Sequence, residues 1–196
     1  MVKSMLSAMQ KRKSGVPEGV LSIFEGIVKK YEEEAGPNLI GLKLLKPEWD
    51  DEFGLAMDKH LTREQRFLLY ETQGGCNGAA ADKERKAFAL EHAHLDLDER
   101  MALFAETFGR WKPVLNNDNT LTLNFKCSHG YYKRALDGTY TAPPPNVESY
   151  FERCAGGRLY ELQKALGIKL RIKSIDVSPL SEDVKNPVVF TFEIMQ

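Results

Sequence analysis

The chain has 196 residues, of which 42% are hydrophobic and 28% charged, and its formal net charge is -1. These are the values of an ordinary soluble domain, and such a charge creates no field that would attract nucleic acid or an anionic membrane. No stretch approaches the roughly 20 apolar residues of a membrane span, and the first residues lack the apolar segment of a signal peptide. We therefore expect a cytoplasmic protein that binds neither nucleic acid nor membrane.

One domain with a short N-terminal extension is the predicted organisation. Residues 1–15 carry Met5 and Met9 at helical spacing and are predicted to form a helix or a tail. Residues 16–196 are predicted to form a single α+β domain, because no internal repeat or low-complexity linker divides them. The three cysteines are odd in number and far apart, which is not the pattern of a disulfide framework.

Helical spacing dominates the first half of the chain. An apolar face that includes Phe24 and Tyr31 predicts one helix, which Gly36 and the proline after it should end. Residues 38–60 show no clear period, so an irregular segment with packed apolar side chains is predicted there. The sequence Thr62-Arg63-Glu64-Gln65 has the form of a capping box, with which the next helix begins.

Two more helices are predicted before residue 110. Helix propensity favours residues 79–92, with Phe88 and Leu90 as the apolar residues of that segment. Asp96 is a suitable cap for the following helix, which carries apolar residues such as Phe104 at intervals of three or four.

The apolar period changes to two in the second half. Residues 121–125 alternate between apolar and polar types, as in a half-buried strand. A helix is predicted between Asn146 and Gly167, and residues 168–173 and 188–194 then form two alternating strands, most simply an antiparallel pair. The predicted fold class is α+β, with N-terminal helices packed on a small antiparallel sheet formed mainly by the C-terminal half.

Three cysteines and one histidine are the candidate metal ligands. Cys76 lies in a glycine-rich break, Cys127 is two residues from His129, and Cys154 is in a helical stretch. Thiolate and imidazole groups suit zinc, so these four residues could form a tetrahedral site. A structural zinc site usually shows closely spaced cysteine pairs, however, and Cys154 shares its helix face with apolar residues. A buried core thiol is the alternative.

A second hypothesis makes Cys76 a nucleophile. If a helix begins just after Gly75, its free amide groups would favour the thiolate, and His129 or His92 could act as general base. The same glycine-rich run is also typical of a plain turn between helices. Walker, H-E-x-x-H and Gly-x-Ser-x-Gly motifs are absent from the sequence, which excludes the commonest catalytic signatures.

The C-terminal third resembles a known family. The run Val147–Leu159, the segment Ala165-Leu166-Gly167, the basic strand and the final strand are similar to vinyl-reductase-type small-molecule-binding domains. They also resemble bacterial proteins similar to L-2-amino-thiazoline-4-carboxylate hydrolase. The resemblance implies an α+β fold with Cys127, His129 and Cys154 near a ligand pocket.

Three functional hypotheses remain open from the sequence. The first is binding of a small molecule or metal in a pocket between helices and sheet, with Tyr131 and Arg158 as predicted ligand contacts. The second is a hydrolase that uses Cys76 or a metal bound by cysteine and histidine. The third is a non-catalytic module that forms a homodimer through a sheet edge or helix face, which would show a large apolar surface patch.

Overall fold

The computed structural model describes residues 2–11, 15–36, 47–72, 79–109, 112–125, 147–177 and 188–195. Within these ranges the chain forms seven helices and four strands. The helices are α1 (Val2–Gln10), α2 (Glu18–Ala35), α3 (Pro47–His60), α4 (Arg63–Thr72), α5 (Ala79–Glu91), α6 (Leu97–Phe108) and α7 (Val147–Leu166). The strands are β1 (Val114–Leu115), β2 (Thr120–Phe125), β3 (Lys169–Val177) and β4 (Val188–Met195).

Local signals set several helix ends as predicted. The amide of Thr62 donates to the side chain of Gln65 at 2.9 Å, and the Gln65 amide donates back to the Thr62 hydroxyl at 3.2 Å. Asp96 forms a second capping box at the start of α6. Gly36 and Gly109 end their helices with φ angles of 54° and 65°, which a side chain would make unfavourable. These predicted boundaries are confirmed.

The prediction of an irregular segment over residues 38–60 is wrong for its second part, because Pro47–His60 is helix α3. Trp49, Phe53 and Met57 are buried at intervals of four, so a helical stripe was present between the acidic residues that obscured it. Pro47 opens the helix, where its missing amide hydrogen costs nothing. Residues 37–46 lie outside the described ranges.

Two leucines of these helices are exposed. The sequence predicts Leu68 as a buried contact of α4, but this side chain is exposed, and the neighbouring Leu69 and Tyr70 are buried. Leu90 is 80% exposed on α5, whereas Phe88 is buried. Which face of a short helix is buried depends on its neighbours, and composition alone does not determine this.

The four described strands form one antiparallel sheet in the order β1-β2-β4-β3. Phe190 of β4 lies between Leu123 of β2 and Ile175 of β3, which aligns apolar side chains on one face of the sheet. A register irregularity between Ile172 and Ser174 interrupts β3. The predicted antiparallel pair of C-terminal strands is confirmed, and β2 adds to β4 on its other side.

Helix α7 covers the apolar face of this sheet. Its residues Phe151, Ala155, Leu159, Leu162 and Leu166 are at most 1% exposed and belong to one core with strand residues such as Phe190 and Phe192. Helices α5 and α6 contribute Phe88, Met101 and Phe104 to the same core. The fold class is therefore α+β, as predicted, with mainly N-terminal helices and with α5, α6 and α7 sharing one core with the sheet.

A second apolar core lies among the first four helices. Met5 and Met9 of α1 are buried together with Phe24 of α2, Phe53 of α3 and Leu69 of α4. Helix α1 therefore packs as part of the protein interior. None of the helices in the described ranges is both long enough and apolar enough to cross a membrane.

Helices α4 and α7 cross at a short distance and connect the two cores. A Cβ atom built on Gly156 would lie 2.7 Å from Cβ of Tyr70 and closer still to its carbonyl oxygen. Glu71 of α4 also accepts a hydrogen bond from the amide of Ile172 in β3 at 2.9 Å. Burial raises the pKa of Glu71, and this amide and Arg171 oppose the rise only in part.

Candidate functional site

Two carboxylates are buried on α7, although charged side chains are seldom fully buried unless they are paired. Glu152 is 0% exposed and Glu161 is 5% exposed. They are nine residues apart, which is two and a half helical turns, so they face opposite sides of the helix. Glu152 faces α4 and Glu161 faces α5, and each meets an arginine there.

The first pair is fully matched. Arg66 donates from Nε to Glu152 at 2.7 Å and from Nη2 to the other carboxylate oxygen at 3.0 Å. Its third nitrogen, Nη1, donates to the carbonyl oxygen of Leu61 at 3.0 Å. Burial lowers the pKa of Arg66, but the bonds and charge of Glu152 outweigh it, so the pKa lies above its usual value. This pair joins α4 to α7 and is a structural contact.

The second group holds two arginines on one carboxylate. Arg85 of α5 donates from Nη2 to Oε1 of Glu161. Arg158 lies one turn before Glu161 on α7, and its Nη1 is 2.6 Å from Oε2, an ion-pair contact without hydrogen-bond geometry. Both side chains are largely buried, with 10% of Arg85 and 16% of Arg158 exposed. The three side chains therefore sum to one positive charge.

Arg85 has donors without acceptors. Its Nε and Nη1 atoms are buried and have no hydrogen-bond partner within the described part of the chain. Every nitrogen of Arg66, by contrast, has an acceptor. A guanidinium group can only donate, so each unmatched N–H needs an oxygen, a nitrogen or a water from elsewhere. The hydrogen bonding of Arg66 is therefore complete, whereas that of Arg85 is incomplete within the described part of the chain.

Further polar side chains continue this surface between α5 and α7. The hydroxyl of Tyr160 donates to Oδ1 of Asp82 at 2.8 Å, and Lys86 contacts Oδ2 of Asp82 at 2.7 Å. The hydrogen bonds from Lys86 and then Tyr160 lower the pKa of Asp82. Burial and the bond to Asp82 raise the pKa of Tyr160. The Lys164 ammonium group lies 5.3 Å from the centre of the Tyr160 ring, within range of a cation–π contact.

We call the six side chains of this surface the α5–α7 cluster: Asp82, Arg85, Lys86, Arg158, Glu161 and Lys164. It holds four cations and two carboxylates. Of these six residues, only Arg158 is predicted from the sequence. A signal for Arg85 and Glu161 existed, because Arg85 precedes Phe88 by three residues and Glu161 precedes Ala165 by four. Both charged residues thus lie on stripes that also carry buried residues.

The metal and catalytic candidates Cys76, Cys127 and His129 lie outside the described ranges, as does the predicted ligand contact Tyr131. Cys154 is partly buried and packs against the core beneath the sheet. No group of three or more metal-ligating side chains occurs among the residues that the structure describes. The zinc site and the Cys76 nucleophile stay predictions.

Exposed large apolar side chains bear on the interaction hypothesis. In the described ranges they lie on five different elements, each of which contributes one: Ile23, Leu68, Leu90, Val114 and Met195. Single exposed apolar residues are normal on protein surfaces.

Comparison with protein-family models, with curated proteins and with solved structures gave no match. The resemblance to vinyl-reductase-type domains stays a prediction from the sequence.

Proposed function

We propose that this protein binds a small molecule in its interior, at the α5–α7 cluster on the helical side of the sheet. The observation that carries the proposal is that two buried nitrogens of Arg85, Nε and Nη1, have no acceptor in the described part of the chain. A buried donor left without a partner costs about 1–3 kcal/mol. A ligand that supplied acceptors would recover this free energy on binding, so an incomplete buried cluster favours a ligand site.

The surroundings of Arg85 support the same proposal. Small-molecule sites in proteins usually combine apolar walls with a few converging polar groups. Arg85 lies one helical turn from Phe88, which belongs to the core beneath the sheet, and Glu161 is adjacent in sequence to the buried Leu162. The cluster therefore borders the main apolar core.

Ligand-induced stabilisation tests this proposal. Thermal unfolding of the full chain would be followed with a panel of acidic, basic and uncharged small molecules, and each hit would be titrated by calorimetry. A ligand at a hundredfold excess over Kd should raise Tm by about 5–10 °C for a chain of this size. Arg85→Leu should lose this shift, and Lys83→Gln, an exposed charge change on the same helix, should keep it. Absence of a shift with every compound class would overturn the proposal.

A cytoplasmic location belongs to the same proposal, because three distant cysteines are typical of a protein from a reducing compartment. A homodimer through a sheet edge or helix face is a separate prediction from the sequence. Light scattering on the purified chain would give twice the monomer mass if the dimer forms.

A further inference from the structure

The charge balance of the α5–α7 cluster favours one class of ligand. Arg85, Lys86, Arg158 and Lys164 provide four positive charges, and Asp82 and Glu161 provide two negative charges. These six charges sum to two positive charges. Arg85 is buried and shares Glu161 with Arg158, so a cationic ligand beside Arg85 would add like charge and an anion would add opposite charge.

The carboxylates of the cluster are already engaged. Both oxygens of Glu161 contact guanidinium groups, from Arg85 and Arg158. Both oxygens of Asp82 contact donors as well, from Tyr160 and Lys86. Each of the four carboxylate oxygens thus contacts a cationic or hydroxyl group, although Oε2 of Glu161 does so outside hydrogen-bond geometry, while Nε and Nη1 of Arg85 have no acceptor in the described part of the chain. Glu161 holds Arg85 in position without completing its hydrogen bonds.

We propose that the ligand of this site is a small acid whose carboxylate or phosphate oxygens accept hydrogen bonds from Nε and Nη1 of Arg85. This inference rests on the proposed function and names the class of its ligand. Hydrogen bonds between a guanidinium group and an anionic oxygen are about twice as strong as those between neutral groups. Arginine is also the residue whose planar donor geometry suits carboxylates and phosphates best. Lys86 and Lys164 add positive charge on the same pair of helices.

Matched probes test the charge of the ligand. Benzoate and benzamide share a ring and differ in charge, and inorganic phosphate supplies the second oxyanion; all three would be titrated into the full chain at constant ionic strength. Benzoate or phosphate should bind and raise Tm, and benzamide should not. Which anion binds more tightly distinguishes a carboxylate ligand from a phosphate ligand.

Variants of Arg85 test the place of binding. Arg85→Leu should weaken anion binding at least about tenfold, because charged hydrogen bonds are lost. Arg85→Lys keeps the charge but offers a single nitrogen, so it should also bind at least about tenfold more weakly. Lys83→Gln removes an exposed charge from the same helix and should bind like the wild type. In Arg85→Leu the Glu161 carboxylate keeps Arg158 as partner, and circular dichroism would check that each variant folds.

Each remaining outcome separates this inference from the proposed function. Anion binding that is equal in wild type and Arg85→Leu would overturn the assignment to Arg85. If only uncharged molecules stabilised the protein, and this stabilisation were lost in Arg85→Leu, the proposal of an acidic ligand would be wrong. The proposal of a small-molecule site at Arg85 would still hold. Failure of every probe and of the wider compound panel would overturn both.

Discussion

The crossing of α4 and α7 at Gly156 gives a prediction with a definite sign. In Gly156→Ala the new Cβ would lie 2.7 Å from both the carbonyl carbon and Cβ of Tyr70. These are backbone and near-backbone atoms, so no flexible side-chain end can move aside to make room. Tyr70 is itself buried, and its hydroxyl donates to the sulfur of Met57, which restricts movement of α4 further.

The expected magnitude combines two opposing effects. Overpacking of a well-packed interior costs about 1–3 kcal/mol, whereas glycine to alanine in a helix gains up to about 1 kcal/mol from helix propensity. Gly156→Ala should therefore be less stable than the wild type by about 1–2 kcal/mol. Gly26→Ala in α2 is the matched control, because its Cβ would meet nothing within 4 Å. It should gain about 0.5–1 kcal/mol.

Urea unfolding followed by circular dichroism would measure both variants against the wild type. The two substitutions should shift the unfolding midpoint in opposite directions at an unchanged slope. If Gly156→Ala proved as stable as Gly26→Ala, the close crossing of α4 and α7 would be wrong.

Three further predictions concern buried and half-buried groups. Glu152→Ala should lower the free energy of unfolding, measured with urea, by about 3–5 kcal/mol, because it leaves Arg66 buried without the carboxylate of Glu152. The double variant with Arg66→Leu should recover much of that loss. Equal losses in the single and double variants would contradict a buried ion pair. Because burial raises the pKa of Glu71 in the folded state, the folded protein binds this proton more readily, and stability falls as pH rises from the ordinary value of 4.5 through the raised pKa. Glu71→Gln removes this pH dependence and keeps an acceptor for the amide of Ile172. The stability of this variant relative to the wild type, measured by unfolding at several pH values, should therefore increase as pH rises. Parallel pH profiles of the two proteins would refute this. Phe88→Ala should cost about 3–5 kcal/mol, and Leu90→Ala should stay within about 0.5 kcal/mol, since Leu90 is 80% exposed; thermal unfolding of both would reveal any reversal of this order.

Several parts of the fold were predictable because their cause is local. The capping box at Thr62 and the helix end at Gly109 depend on residues within four positions of each other. The alternation in β3 and β4 needs only one buried sheet face to be visible. Helix α3 was missed because acidic residues surround its buried stripe of Trp49, Phe53 and Met57, so composition outweighed period.

The candidate site was less accessible from the sequence because its members are far apart along the chain. Arg85 and Glu161 are separated by 76 residues, and no spacing rule connects them. Arg158 was identified as a ligand contact, but its ion pair with Glu161 and the place of Arg85 beside it follow from how α5 packs on α7. The predicted Cys76, Cys127 and His129 lie outside the described ranges.

The sequence by itself determined the helix caps, the strand alternation and the α+β class, since periodicity and capping are written in neighbouring residues. The tertiary structure decided the strand order, the close crossing at Gly156 and which hydrogen-bond partners the buried charged side chains have. Both arginines look alike in the sequence, yet Arg66 has an acceptor for every nitrogen and Arg85 does not. The reason is physical: whether a buried donor is satisfied depends on which distant groups the packing of helices brings within hydrogen-bond distance.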